Sequence, residues 1–232
     1  MWDTCKLSYK YKYIDGLQGE ENWFSAFGTF AHLIFELVDR GKIKPSDAYN
    51  VWTKYYPKRV FQKHGHAFPW MLKWYDEASD FFFTFKGWRT KAKYVEQYIE
   101  IDQWDYILRG YIDRGSIDSD GRVILTDHKS SNLFSQEDLA KKRRQLYLYS
   151  TYIAQTTGEF PSKLIFNFFR KKDFITINFN ESEYKEAWDW AHKTVAEIEY
   201  AISNPDFDYE PKVDKFFCKN ICDFRFQCPY NV

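Results

Sequence analysis

The sequence predicts a mixed α/β domain of the α+β kind, in which a helix precedes a three-stranded meander and a second helix and a strand follow it. Three observations lead there. Apolar residues recur at helical spacing in SAFGTFAHLIFELVDRG (25–41). The period then changes, and KYVEQYIEID, DYILRGYIDRG and GRVILTDHK follow one another with only short polar turns between them. The long stretch SQEDLAKKRRQLYLYSTYIAQTTG (135–158) opens on a helix-start signal and ends on a glycine.

The first helix is expected over 25–41, with Ser25 as its N-cap and Gly41 as its stop. Residues 44–92 are rich in Trp, Tyr and Phe, with helical stretches after PSDA and around FPWMLKWYDEASDFFFTF, and read as a mostly helical insertion. The three strands (93–102, 105–115 and 121–129) are joined by turns at Asp102–Asp105 and Asp118–Gly121, where Asp and Gly supply turn chemistry. Ser135 and Asp138 form a capping box for the long helix, which Gly158 closes. KLIFNFF (163–169) reads as a short buried strand and DFITINF as another. ESEYKEAWDWAHKTVAEIEYAIS is a last helix before a cysteine-bearing tail. With no internal repeat and no low-complexity linker, one domain over residues 1–232 is expected.

At 232 residues, 44% of them hydrophobic and 28% charged, the chain has ample material for a globular core. Aromatic residues reach 21%; most must be core, and rings beside Lys and Arg are suited to stacking on bases. Net charge is zero, so nucleic-acid binding would have to come from local patches. Lys141-Lys142-Arg143-Arg144 is one and Arg170-Lys171-Lys172 another, although either alone reads as solvated surface. Met1 leads into the polar MWDTCKLSYKYKY and no apolar run approaches the roughly 18 residues of a membrane span, so a cytoplasmic protein with no membrane partner is expected. There is no GxxxxGK[ST] run, which assigns any nucleotide-driven motor to a separate chain.

Four cysteines fall as one and three: Cys5 near the start, and Cys218, Cys222 and Cys228 as C-x3-C-x5-C near the end. In a reducing compartment that grouping favours metal ligands over two disulfides. Zinc and an iron–sulfur cluster both take four thiolates, and either would tie the two chain ends together.

Asp127 and Lys129 stand two apart on the third strand and so project the same way. Asp113 ends the second strand. Neighbouring strands lie about 4.8 Å apart, so both carboxylates can reach one ion in a suitable register. Magnesium or manganese suits such hard oxygen ligands, and Lys129 would then orient a water and offset phosphate charge. His32 shares a helix face with Gly28 and Glu36, and Gly28 would let that helix approach its neighbour closely. Gln145 and Tyr149 are one helical turn apart, placed to hold a phosphate or a base. Glu96 and Glu100 alternate on the first strand, where they could touch the site but read more readily as strand surface; His64, His66 and His192 carry no assignment.

GTFAH (28–32), GYIDR (110–114), LTDHKSS (125–131) and QLYLY (145–149) resemble, in order, the GxxxH, GxxD, DxK and QxxxY motifs of the RecB-like branch of the PD-(D/E)XK nuclease superfamily. One cysteine before this core and three after it resemble the iron–sulfur nucleases typified by the AddB nuclease domain and the CRISPR adaptation nucleases, although the first two late cysteines are usually spaced C-x2-C. The resemblance implies metal ligands at His32, Asp113, Asp127 and the backbone carbonyl of His128. It makes Lys129 the catalytic lysine, with Gln145 and Tyr149 supporting it or contacting DNA. It places a [4Fe–4S] cluster on Cys5, Cys218, Cys222 and Cys228, within the end segments 1–15 and 215–232, zinc being the alternative.

The expected function is therefore a Mg2+- or Mn2+-dependent deoxyribonuclease, an exonuclease on single-stranded DNA in preference to duplex. Lys141, Lys142, Arg143, Arg144 and Tyr149 would bind the strand. Recombination, repair, replication or CRISPR adaptation would supply the context, with a helicase or a recombination or integrase chain as partner. The competing expectation is a non-catalytic, metal-stapled DNA-binding adaptor of the same fold.

Overall fold

A computed structural model describes residues 1–64 and 68–230, so His66 lies outside the described residues. In chain order the helices are α1 (Lys6–Tyr9), α2 (Trp23–Asp39), α3 (Ala48–Tyr56), α4 (Gln62–His64), α5 (Pro69–Thr84), α6 (Gln136–Thr157), α7 (Glu181–Ser203) and α8 (Lys215–Asn220). The strands are β1 (Ala92–Asp102), β2 (Ile107–Ile117), β3 (Val123–His128), β4 (Lys163–Phe168) and β5 (Asp173–Asn178). The chain divides into two compact units, Gly28–Trp188 and the two ends together, Met1–Phe27 with Asp189–Val232.

The larger unit holds a single five-stranded sheet in the order β1-β2-β3-β4-β5. The first three strands form the expected antiparallel meander, β4 runs parallel to β3, and β5 returns antiparallel at the edge. A parallel neighbour needs a crossover, and α6 supplies it between β3 and β4. α6 starts as its sequence demands: the Ser135 hydroxyl accepts the Asp138 N–H at 3.1 Å. It stops at Gly158, whose φ of 84° is a left-handed helix end.

Val123 and Leu125 of β3 and Leu164, Phe166 and Phe168 of β4 are buried to 3% exposure or less. The insertion packs through rings: Phe30 stacks on Trp52 at 5.2 Å, and Phe35 meets Phe81, Phe82 and Phe169. Arg114 of β2 is buried and reaches Asp39 at the end of α2 with its Nε 3.0 and 3.1 Å from the two carboxylate oxygens. Both side chains are nearly solvent-free, so losing either would strand a charge.

In the smaller unit, the first α2 turn is capped differently from the expectation. The cap is Asn22, not Ser25: Asn22 Oδ1 accepts the Ser25 N–H at 3.0 Å, and Ser25 Oγ accepts the Asn22 N–H at 3.3 Å. This reciprocal pair starts the helix two residues earlier, at Trp23. The same Asn22 donates from Nδ2 to the Ile221 carbonyl at 2.7 Å, and Glu20 N–H donates to the Asp223 carbonyl at 2.8 Å. Residues about 200 apart in sequence are thus hydrogen-bonded to each other. Trp2, Phe207 and Tyr209 pack their rings together nearby in sequence to these ends. Among the described residues, no helix is long and apolar enough to cross a membrane.

Candidate active site

β2 and β3 pair antiparallel through Arg114↔Thr126 and Gly115↔Leu125, a register that continues to set Asp113 beside Asp127. The carboxylates so placed are both largely buried. Asp113 Oδ2 accepts the backbone N–H of His128 at 2.7 Å. Even so, burial, and then the charge of Asp127, push its carboxyl up to about 7, against the opposing pull of His32 and the His128 N–H. Lys129 Nζ lies 2.6 Å from Asp127 Oδ2. Burial alone would lower the lysine, but the Asp127 carboxylate and the more distant Asp113 outweigh it, and the ammonium is held charged.

His32 enters from α2. Its Nε2 is 2.9 Å from the His128 carbonyl oxygen, and its Nδ1 is 3.2 Å from Glu96 Oε1 and 3.7 Å from Asp113 Oδ2. Burial would depress the imidazole, yet the Glu96 hydrogen bond and the charges of Asp113 and Glu96 push it up to about 9. His32, Glu96 and Asp113 each offer one ligand atom, and these atoms lie within 4.8 Å of one another. Glu96, Asp113 and the His128 carbonyl around His32, with Asp127 beside Asp113, offer mostly hard oxygen donors, and donors of this kind fit Mg2+ or Mn2+.

The His128 side chain goes elsewhere. It is buried against Phe35 and Trp88, with ring centroids 4.4 and 5.2 Å away, and its Nδ1 accepts from Asn167 Nδ2 at 2.9 Å. Desolvation keeps it neutral. Packed in this way, it fixes the backbone whose N–H serves Asp113 and whose carbonyl faces His32.

Gln145 and Tyr149 share a face of α6, and Gln145 Nε2 donates to the Tyr149 hydroxyl at 3.2 Å. Burial raises the phenol, as do the charges of Asp127 and Asp113, so it stays protonated. Gly28 does not mark a close helix approach: a β-carbon there would sit 3.6 Å from Ser130 Oγ, an ordinary contact.

The basic clusters are more engaged than their sequence suggests. Lys141 pairs with Glu137 at 2.6 Å, Arg143 with Glu183 at 2.6 Å and Arg144 with Glu186 at 2.7 Å, while Lys142 is exposed. In the second cluster Arg170 and Lys171 both pair with Glu77 of α5, and Lys172 pairs with Asp80. Arg170 also donates to the Ser130 carbonyl and to Asn132, and lies over the Trp74 ring at 3.5 Å from its centroid. It therefore clamps the segment just after Lys129 to the helical insertion.

Glu96, for which the sequence favoured strand surface over contact with the site, hydrogen-bonds to His32 Nδ1. A signal for it existed. Counting back from the hairpin turn, where Asp102 pairs with Ile107, brings Glu96 opposite Asp113.

In the smaller unit, Cys5, Cys218, Cys222 and Cys228 line one cavity and all four are free thiols. Burial, then the proximity of Cys5, Cys228 and Cys218, raises the Cys222 thiol. Four thiols gathered in this way suit a soft cation centre, zinc or iron–sulfur.

The central strands β2 and β3 carry the Asp113 and Asp127 carboxylates side by side, with Lys129 just past the end of β3. The chain matches the family model of the PD-(D/E)XK nuclease superfamily over residues 2–229 and belongs to that superfamily. Its members are nucleases that typically use Mg2+ or a similar divalent ion, so nucleic acid is the substrate class. No curated protein matches the chain.

Proposed function

We propose that the chain is a RecB-like deoxyribonuclease, an exonuclease acting on single-stranded DNA, with a [4Fe–4S] cluster on Cys5, Cys218, Cys222 and Cys228. The observation that carries the nuclease chemistry is the convergence of Asp113, Asp127 and Lys129 beside His32 and the His128 carbonyl. In this reading His32 Nε2, the two carboxylates and the carbonyl hold a divalent ion, which when bound lowers the pKa of a water and offsets phosphate charge. Lys129, held charged by Asp127, orients the attacking water and faces the scissile phosphate. Tyr149, kept protonated, donates a hydrogen bond on the substrate side, and Gln145 fixes its hydroxyl.

Lys141, Lys142, Arg143 and Arg144 line up along the first turns of the same helix as Gln145 and Tyr149, which supports a role in leading the strand in. Three of them would exchange a carboxylate partner for phosphate. The gathering of four free thiols supports the cluster, with zinc as the other occupant. A cytoplasmic place in recombination, repair, replication or CRISPR adaptation, beside a helicase or integrase chain, is the setting in which such a nuclease works.

The test is digestion of single strands labelled at either end, with Mg2+ and with Mn2+, by the wild type and by Asp113→Ala, Asp127→Ala and Lys129→Ala. Stepwise shortening from one end is expected, slowed by roughly 10³-fold in each variant while strand binding persists. Wild-type cleavage by Asp127→Ala would sink the assignment, and binding without any cleavage by the wild type would favour the adaptor.

A further inference from the structure

We infer that Glu96 is a positioning residue of this site: it grips His32 at Nδ1 and so presents Nε2, beside the His128 carbonyl, to the divalent ion. The inference rests on the metal-dependent reading above and concerns a residue which that reading does not use.

Two independent observations support it. The first is the hydrogen-bond geometry. An imidazole can ligate through one nitrogen only when the other is fixed as the N–H, and a carboxylate on that second nitrogen sets both tautomer and ring angle. Glu96 Oε1 stands 3.2 Å from Nδ1. The alternative partner, Asp113 Oδ2, is 3.7 Å away and already accepts the His128 N–H. Glu96 is therefore the side chain that holds the ring at Nδ1; Nε2 donates to the His128 carbonyl at 2.9 Å while no ion is bound, a separation at which an ion displacing that proton could take both atoms as ligands.

The second is the backbone. Glu96 has φ of 43°, in the left-handed region that side chains other than glycine's disfavour. The other described non-glycine residues with positive φ, Trp104 and Lys172, lie in turns, whereas Glu96 lies within β1. The register of β1 shifts between Ala92 and Tyr94, but Glu96 lies beyond that shift, flanked by Val95 with Arg114 and Gln97 with Ile112, so no residue is inserted at Glu96 itself. A strained residue inside the regularly paired stretch Tyr94–Asp102, opposite Asp113, is the kind of outlier that collects at working sites. The same residue carries both this backbone and the 3.2 Å contact to His32.

The experiment titrates Mn2+ calorimetrically into the full chain as wild type, Glu96→Ala, Glu96→Gln, Glu96→Gly and Asp113→Ala. Long-range 1H–15N spectra of 15N-histidine protein saturated with Mg2+ report the His32 tautomer. Glu96→Ala should bind Mn2+ about 10- to 100-fold more weakly and lose the pure Nδ1–H form of His32. Glu96→Gln keeps an acceptor for Nδ1–H and should lose less. Glu96→Gly relieves the backbone, so it should melt no lower than wild type while binding Mn2+ as weakly as the alanine variant. A role confined to strand structure would do the reverse, changing the melting temperature and leaving affinity and tautomer alone. Wild-type Mn2+ affinity in Glu96→Ala overturns the inference, and so does a glutamine variant as weak as the alanine one, which would make Glu96 a charged ligand. Asp113→Ala separates the two levels: if it loses Mn2+ while Glu96→Ala does not, only the role of Glu96 falls, and if it retains Mn2+, the metal site falls as well.

Discussion

Tyr149 fills the space that a side chain on Gly110 would need: a β-carbon there would lie 2.6 Å from Tyr149 Cζ and closer still to the hydroxyl. β2 thus omits a side chain where α6 brings in the phenol that Gln145 holds. Gly110→Ala should force the ring away and destabilise the protein by about 1–3 kcal/mol. Adding Tyr149→Ala should recover part of that loss, because the two changes share one contact. Chemical denaturation of both single variants and the double variant measures the coupling, and strict additivity would contradict the packing. Tyr149→Phe keeps the ring and should lower cleavage with little change in melting temperature.

The acid–base groups of the site give stability a particular pH dependence when no divalent ion is present. His32 is raised from 6.5 to about 9 and Asp113 from 3.8 to about 7. Both folded values exceed the unfolded ones, so each contribution is complete below the unfolded pKa and disappears as pH rises through the folded one. In chelator, the difference in melting temperature between wild type and Asp113→Asn should therefore shift against the wild type between about pH 4 and 7. The difference from His32→Gln should do so between about pH 6.5 and 9. Added Mn2+ should raise the wild-type melting temperature most at the alkaline end, where no proton has to be displaced. A Mn2+ effect that is flat from pH 6 to 9 would contradict the assignment of these groups to the metal.

Arg170 is 3% exposed and is shared among Glu77, the Ser130 carbonyl, Asn132 and the Trp74 ring. Removing it leaves Glu77 with Lys171 alone and frees the segment that follows Lys129. Arg170→Ala should cost roughly 3–5 kcal/mol, as expected when one partner of a buried pair is lost. Arg170→Lys, which keeps charge but not the fork, should recover only a minor part. Thermal melting of the two variants checks this, and a loss under about 1 kcal/mol would mean the clamp bears little of the stability.

Cys5 is expected to matter for folding, although it stands far in sequence from the carboxylates. Thiol-bound metals can contribute folding free energy on the order of 10 kcal/mol. Cys5→Ala should lower soluble yield and melting temperature. Anaerobic purification with iron and sulfide quantification distinguishes a brown cluster protein from a colourless zinc protein. A folded, metal-free protein with four free thiols would refute both.

Much of the fold was legible because its signals are local. Ser135 with Asp138, and Gly158, mark the ends of α6 through contacts spanning a few residues. The Asp102–Ile107 turn and the alternation around it specify the β1–β2 hairpin. The Asn22 cap was missed because Ser25 is also a good capping residue, and only the reciprocal bonds decide between them.

By itself the sequence determined which residues stand at each motif, because spacing along a helix or strand dictates which side chains share a face. Asp127 and Lys129 had to project together, as did Gln145 and Tyr149. Tertiary structure alone decided what lies across from them. Register brought Asp113 beside Asp127, and the packing of α2 against the sheet brought His32 to Glu96. Partners supplied by α7 and α5 took up the charges of Arg143, Arg144 and Arg170, which in sequence read as open basic surface. A charge carries no mark of its partner in its own neighbourhood of the chain; only packing between distant elements decides whether it meets solvent, phosphate or a carboxylate.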